Sequence, residues 1–386
     1  MISRAVGLFA GIGGFEAGLH LAGFKTELLC EIDPAAQRVL KHHFVGVPIV
    51  SDVRELRALP KVDVVTAGFP CQDLSQAGKT AGIRGKKSGV VSEVFRLLAT
   101  PSTRPRWLVL ENVPFMLQLD RGRAMRVLVA ALEDLGYTWA YRVVDTRAFG
   151  LPQRRLRVLL VASRTDDPRG VLFHGNETEP EPPDREKVAC GFYWTEGLNG
   201  LGWAVNAVPT LKGGSTIGIP SPPAIRMAGD RAIVTPDIRD AERLQGLDAN
   251  WTLPAVDDEK RRSGPRWRLV GNAVSVPVAR WLGDRLKSPV PYDAAQDRPL
   301  PRGASWPRAA WGKAGKAYGA DFSTWPVRLE YHHLSEYLQY PTMPLSERAT
   351  AGFKKRINAS TTLRFPKGFK RDIANHLRRV RGLSPV

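Results

Sequence analysis

Through residues 4–162, short apolar runs alternate with longer stretches whose apolar positions recur at helical spacing. The runs at residues 6–9, 26–30, 62–67, 107–110, 138–144 and 157–161 are short and predominantly apolar, the pattern of buried strands. Stretches such as residues 34–43 and 121–135 carry one apolar stripe and one polar face, the pattern of helices laid against a sheet. Alternation of the two predicts a doubly wound α/β sheet. The last two runs are separated by about a dozen residues that include Gly150 and Pro152, too short a link for a comfortable helical crossover. A terminal antiparallel hairpin is therefore expected.

Beyond Ser163 the periodicity fades. Residues 176–184, NETEPEPPD, hold no aliphatic or aromatic side chain and read as a loop. Residues 190–223 are rich in Gly, Trp and Thr without a helical period, which reads as irregular β structure in a second, smaller domain over residues 164–265. The Pro-rich residues 288–307 read as a linker, and the helix-prone sequence after them as part of a separate C-terminal extension spanning 288–386.

Charge sharpens the division. The 386 residues carry a formal net charge of +18, which points to a polyanionic partner, because cations that neutralise phosphates release counterions. Residues 288–386 hold 17 Lys plus Arg against 7 Asp plus Glu, so over half of the excess sits in the extension. Three cysteines, Cys30, Cys71 and Cys190, cannot all pair and have no metal-ligand spacing, so neither a disulfide framework nor a metal site is expected. No apolar run reaches membrane-spanning length and the amino terminus lacks a signal-peptide pattern. The expected protein is soluble and cytoplasmic, with reduced thiols.

Two stretches carry candidate chemistry. In Phe9-Ala10-Gly11-Ile12-Gly13-Gly14 the glycines lie between the first strand and a helix, where a tight turn lets a ligand approach the backbone at the positive helix end. Glu31 closes the second strand, where a carboxylate can accept both ribose hydroxyls, and Asp52 falls at the end of the third, suited to an adenine amino group. Spacing alone leaves a nicotinamide dinucleotide open as the ligand. In GFPCQDLS, residues 68–75, Pro70 and Cys71 follow a strand directly, at the sheet end that holds ligands in open α/β folds. Cys71 is thus a candidate nucleophile.

These stretches are followed by LVLENV at residues 108–113, FGLPQRRLRV at 149–158, ERLQGL at 242–247 and RLVGNAVSVPVA at 268–279. The set and its order resemble the cytosine-5 DNA methyltransferases of the bacterial restriction-modification type, with gaps, over residues 6–286. The resemblance implies a Rossmann-like methyltransferase domain over residues 1–163 and 266–287, a target-recognition domain over 164–265, and S-adenosylmethionine, without a metal, as cofactor. Phe9, Gly11, Ile12, Gly13 and Gly14 then form the cofactor loop, Glu31 and Asp52 contact ribose and adenine, and Ile32 and Val53 flank the adenine. Pro70, Asn272 and Ala273 complete that site.

Carbon 5 of cytosine is a poor nucleophile until a thiolate adds at carbon 6, and the resemblance assigns that addition to Cys71. It makes Glu111 the acid at ring nitrogen 3, Arg155 the partner of the base carbonyl, and Arg157 a supporting cation. Because the reacting carbons are stacked inside a duplex, base flipping follows. Gln72, Ser75, Lys79, Arg84 and Lys86 read as a basic lid over DNA, and Thr210, Gly213 and Gly214 as recognition-domain contacts, with Arg239, Arg243 and Gln245 organising that domain.

Double-stranded DNA is the expected partner of a monomeric, nucleoid-associated enzyme, alongside a cognate restriction endonuclease or defence-system proteins. A tRNA cytosine-5 methyltransferase on the same scaffold and a non-catalytic, sequence-specific DNA-binding regulator remain alternatives. The extension lies past the last matched motif, so it is expected to be dispensable for catalysis and to act as an accessory DNA or partner surface.

Overall fold

The computed structural model describes residues 3–69, 89–100, 104–196, 200–213, 221–256 and 264–384. The chain divides into two compact units, one of Met1–Phe149, Leu156–Glu179 and Ala273–Leu329, the other of Gly150–Arg155, Pro180–Asn272 and Glu330–Val386.

The first unit is built on one sheet. Its strands are β1 (Ser3–Leu8), β2 (Phe24–Cys30), β3 (Ile49–Val50), β4 (Val64–Ala67), β5 (Trp107–Asn112), β6 (Thr138–Asp145), β7 (Leu156–Ser163), β8 (Arg298–Pro299), β9 (Ala309–Lys313) and β10 (Lys316–Gly319). They lie in the order β8-β10-β9-β6-β7-β5-β4-β1-β2-β3. From β3 to β5 neighbours are parallel. From β5 to β8 every pair is antiparallel. As the short link predicts, β6 and β7 form a hairpin, running from Thr138 opposite Ser163 to Asp145 opposite Leu156. On β5, Leu108 and Leu110 enter one apolar cluster while Trp107 and Val109 enter another. Helices α1 (Gly14–Leu21), α2 (Pro34–His43), α3 (Val91–Ala99), α4 (Arg123–Asp134) and α5 (Val276–Lys287) belong to this unit. Both faces are therefore covered, α1 and α5 supplying Leu19 and Leu282 to one side, α3 and α4 supplying Leu98 and Leu128 to the other.

The expected boundary at Ser288 does not set off a separate module. Strands β8 to β10 extend the large sheet, with β9 antiparallel to β6 from Ala309 opposite Arg142 to Gly312 opposite Trp139. Without β9, the outer side of β6 would be an edge with unmet main-chain groups. The Tyr141 hydroxyl donates to the Pro307 carbonyl at 2.8 Å, and Trp306 lies edge-on to Trp139 with ring centres 5.9 Å apart.

The rest of the extension completes the second unit. Its five-stranded antiparallel sheet takes the order Ala204–Val205, Cys190–Phe192, Ala224–Arg226, Ile233–Thr235, Met343–Pro344. The first four strands are the irregular β structure that the sequence predicts for residues 164–265; the fifth comes from the extension. Helices Glu347–Ala359 and Phe369–Val380 pack Phe353, Ile357, Phe369 and Ile373 against Phe192, Ala224 and Ile233 of that sheet. Arg226 Nε donates to Asp372 at 2.7 Å, with both side chains 3% exposed. A buried pair of this kind fixes one arrangement, because leaving either partner alone costs about 3–5 kcal/mol.

Candidate active site

The parallel strands β1, β2, β4 and β5 end on one side of the first unit's sheet, and the candidate residues follow from their ends. After β1 the chain turns with positive φ at Phe9, Gly11 and Gly13, 56°, 57° and 82°, and Gly13 begins α1 without a side-chain cap. A Cβ on Gly11 would meet nothing within 4 Å, so the turn presents an open face. Ile12 points inward and is buried. A Cβ on Gly14 would sit 2.3 Å from the Val274 carbonyl oxygen, so only glycine lets α1 approach the chain ahead of α5 this closely. That contact seats Ala273, which is buried, beside the glycine-rich turn, joining segments more than two hundred residues apart.

Glu31, one residue past β2, accepts the Gly11 N–H at 2.7 Å on one oxygen and the Asp33 N–H at 2.8 Å on the other. Burial raises its pKa above the usual carboxylate range, though these N–H bonds oppose the rise. Ile32 beside it is 66% exposed, a large apolar side chain left open next to this carboxylate. The open cradle at Gly11, the fixed carboxylate and the exposed Ile32 together fit an adenosine-bearing cofactor. Asp52 is less free than its sequence position suggests. It caps the turn at Val53–Glu55 and pairs with Arg54, whose guanidinium and N–H hold its pKa down at about 2. The Val53 side chain is buried among Cys30, Leu56 and Leu59.

Between β4 and β5 lies the second group. A Cβ on Gly68 would be 3.8 Å from Glu111 Oε2 and 4.0 Å from the Phe9 carbonyl oxygen. Three separate sequence motifs therefore meet here. Glu111 Oε1 is 2.8 Å from Arg157 Nε. The register explains the pair: Glu111 faces Leu159 across β5 and β7, and Arg157 is the diagonal neighbour on the same sheet face. Burial lowers the Arg157 pKa, and Glu111 works against that shift. The sequence gives Arg157 only a supporting role; the structure puts it directly on the candidate acid. Pro70, Cys71, Gln72, Ser75, Lys79, Arg84 and Lys86 lie outside the described residues.

Two residues were not foreseen. Asn112 Nδ2 donates to the Phe69 carbonyl at 3.0 Å while its Oδ1 accepts the Val113 N–H, tying β5 to the chain just ahead of Pro70 and Cys71. Its position in ENV was the only signal. Glu16 reads as an ordinary first-turn acid of α1, yet it is buried, with Oε1 3.3 Å from Thr66 Oγ1 and Oε2 without a hydrogen-bond partner among the described residues. Desolvation raises its pKa to about 7, and nearby Glu31 adds to the rise. A carboxyl with a raised folded-state pKa binds more protons when folded, so it removes stability as pH climbs from about 4.5 to about 7. Glu16→Gln should abolish that loss and add on the order of 3 kcal/mol above pH 7. Urea midpoints of the two proteins between pH 5 and pH 8 test this; parallel curves would remove the titration from Glu16.

In the second unit, Arg155 is buried and donates through Nη1 to the carbonyls of Gly271 at 3.1 Å and Leu211 at 3.4 Å. Gln153 gives its amide to the Leu244 carbonyl and accepts the Leu211 N–H, while Gln245 donates to the Val270 carbonyl. Arg243 donates to Asp240 and Arg239 to Asp237. The Thr210 hydroxyl donates to the Arg154 carbonyl at 3.0 Å. A Cβ on Gly213 would lie 3.1 Å from Asn272 Oδ1, so Asn272 faces the recognition segment within this unit. Gly214 lies outside the described residues.

Comparison with known proteins gives the family of the chain. Residues 3–200 match the family described as C-5 cytosine-specific DNA methylase. The Type II methyltransferase M2.BsuMI of Bacillus subtilis is 48% identical over 95% of this chain and 96% of its own length. The Type II methyltransferase M.NlaX of Neisseria lactamica is 28% identical over 76% of this chain and 99% of its own. Among solved structures, S. pombe Dnmt2 methyltransferase superposes with a TM-score of 0.55 at 16% identity, covering 74% of this chain and 98% of that one, which is a likeness of fold. With its family match and a relative nearly half identical from end to end, the chain is a methyltransferase and belongs to the C-5 cytosine-specific DNA methylase family.

Proposed function

We propose that the protein transfers a methyl group to carbon 5 of a cytosine flipped out of a specific double-stranded DNA sequence, as the modification arm of a restriction-modification or phage-defence system. The observation that carries this reading is the meeting of Phe9, Gly68 and Glu111 at adjacent strand ends, two residues ahead of Pro70 and three ahead of Cys71. S-adenosylmethionine, held by the Phe9–Gly14 turn, Glu31 and Ile32, supplies the electrophilic methyl group. Asp52 accepts the adenine amino group on this reading while remaining paired with Arg54.

The Cys71 thiolate adds to carbon 6 of the base, forming a carbon–sulfur bond and pushing the ring electrons toward nitrogen 3 and carbon 5. Glu111 holds a proton at nitrogen 3, and Arg157, at 2.8 Å, orients the carboxyl for that work. Asn112 positions the strand end that leads into Cys71. Once carbon 5 carries the methyl group and the cofactor is left as S-adenosylhomocysteine, a water molecule takes the carbon 5 proton, and the returning electron pair expels the Cys71 thiolate. Arg155 supports the recognition segment through the Leu211 and Gly271 carbonyls, and acts on the base carbonyl as a proposed second task.

Bisulfite sequencing of DNA from cells expressing the protein tests the reading. A single short sequence protected at its cytosines is expected, and no protected site would overturn it. Glu111→Gln is expected to slow single-turnover methylation by about 10²-fold or more with cofactor affinity little changed. An unchanged rate at saturating DNA would reassign Glu111 to the ion pair alone.

A further inference from the structure

The two halves of the C-terminal extension differ in charge. Residues 288–329 carry six Lys plus Arg against three Asp, whereas residues 330–386 carry 11 Lys plus Arg against four acids, of which only Glu347 and Asp372 lie in the two C-terminal helices. Glu347 and Asp372 are both already paired, Asp372 with Arg226 inside the fold and Glu347 with Arg381 at 2.8 Å on the surface. Arg356 and Arg379 donate to the main-chain carbonyls of Trp194 and Asp230. Among the described residues, Lys354, Lys355, Arg364, Lys367, Lys370 and Arg371 form no ion pair with an acid.

Packing sets the side on which these charges stand. Phe353 and Ile357 of Glu347–Ala359, and Phe369, Ile373 and Leu377 of Phe369–Val380, are buried, so the apolar faces of both helices are used by the second unit's core. Lys355, Arg364, Lys367, Lys370 and Arg371 are left exposed. Adjacent like charges repel, and Lys370 and Arg371 lie in the first turn of their helix, where the peptide dipoles disfavour cations. The Phe365 ring, 4.9 Å from Lys370 Nζ, and Asp372 in the same turn offset part of that cost, and an external polyanion would offset more.

We propose that the exposed face of helices Glu347–Ala359 and Phe369–Val380 is a docking surface for the phosphate backbone of duplex DNA, giving the enzyme a grip that does not depend on base sequence. The proposal rests on the reading of duplex DNA as substrate. Phosphate contacts position a protein without carrying sequence information, so this face contributes equally to target and unrelated duplexes.

The test uses the full chain with Lys354, Lys355, Lys370 and Arg371 all changed to Gln. Affinity for a duplex with the target and for an unrelated duplex is measured over a salt series. Each lost phosphate contact should reduce the log–log salt slope by about 0.9, and four should weaken both duplexes about 10- to 100-fold near physiological salt. The four single variants give the same reading stepwise should the quadruple variant fail to fold. Unchanged slopes and affinities overturn the proposal. So does a loss confined to the target duplex, which would mean base readout. If the wild-type protein itself methylates no duplex, the substrate reading has failed; if it does and the slopes still coincide, only the docking surface has.

Discussion

Cys71→Ser is expected to abolish methyl transfer while leaving binding of S-adenosylmethionine and DNA in place. A serine hydroxyl fills nearly the same space as the thiol, but it is scarcely ionised near neutral pH and is a far weaker nucleophile toward carbon 6. Without that addition carbon 5 keeps its low reactivity, so no later step compensates. DNA carrying 5-fluorocytosine at the target separates chemistry from binding. Fluorine replaces the proton that must leave before the thiolate is expelled, so wild type should accumulate a covalent complex stable to denaturant and the variant none. An adduct that persists in Cys71→Ser, or fails to form in wild type at the correct site, would remove Cys71 from the role of nucleophile.

Ending the chain after Ser288 is expected to abolish folding of both units, contrary to the dispensable extension that the sequence suggests. In the first unit it strips β9 from β6 and removes Trp306, Ala309, Ala310 and Trp325 from the packing around them. In the second it removes the fifth strand and the buried side chains Phe353, Ile357, Phe369 and Ile373, and leaves Arg226 buried without Asp372. Each large apolar side chain is worth about 1.5–3 kcal/mol when buried, so the four lost from the second unit are worth about 6–12 kcal/mol, and Arg226 keeps Glu186 as its remaining acid partner. That loss is comparable with the roughly 5–15 kcal/mol by which a domain is stable, and the first unit loses the strand that covers β6 besides. Circular dichroism melts of full-length and truncated protein decide it. A cooperative transition near the full-length midpoint in the truncated chain would restore the extension to an independent module.

The alternation of buried strands and amphipathic helices, the hairpin forced by a short link, the glycine-rich turn and the strand-end carboxylates were legible in the sequence, because each depends on neighbours within a few residues. Tertiary structure decided the rest. Arg157 reaches Glu111 only through the antiparallel register of β5 and β7, which no local spacing encodes. Glu16 looks like a solvated helix-start acid and is buried because α1 lies against the sheet, with Thr66 of β4 beneath it. Basic composition made residues 288–386 look like an appendage, since charge marks what faces solvent and hides the few aromatic residues that face inward. Where β9 and the last two helices dock is a matter of pairing across more than a hundred residues, with β6 in one unit and with the strand Ala224–Arg226 in the other. The sequence by itself determined which chemistry the strand ends could hold; only the folded chain decided which distant segments complete each core and thereby fix those ends in place.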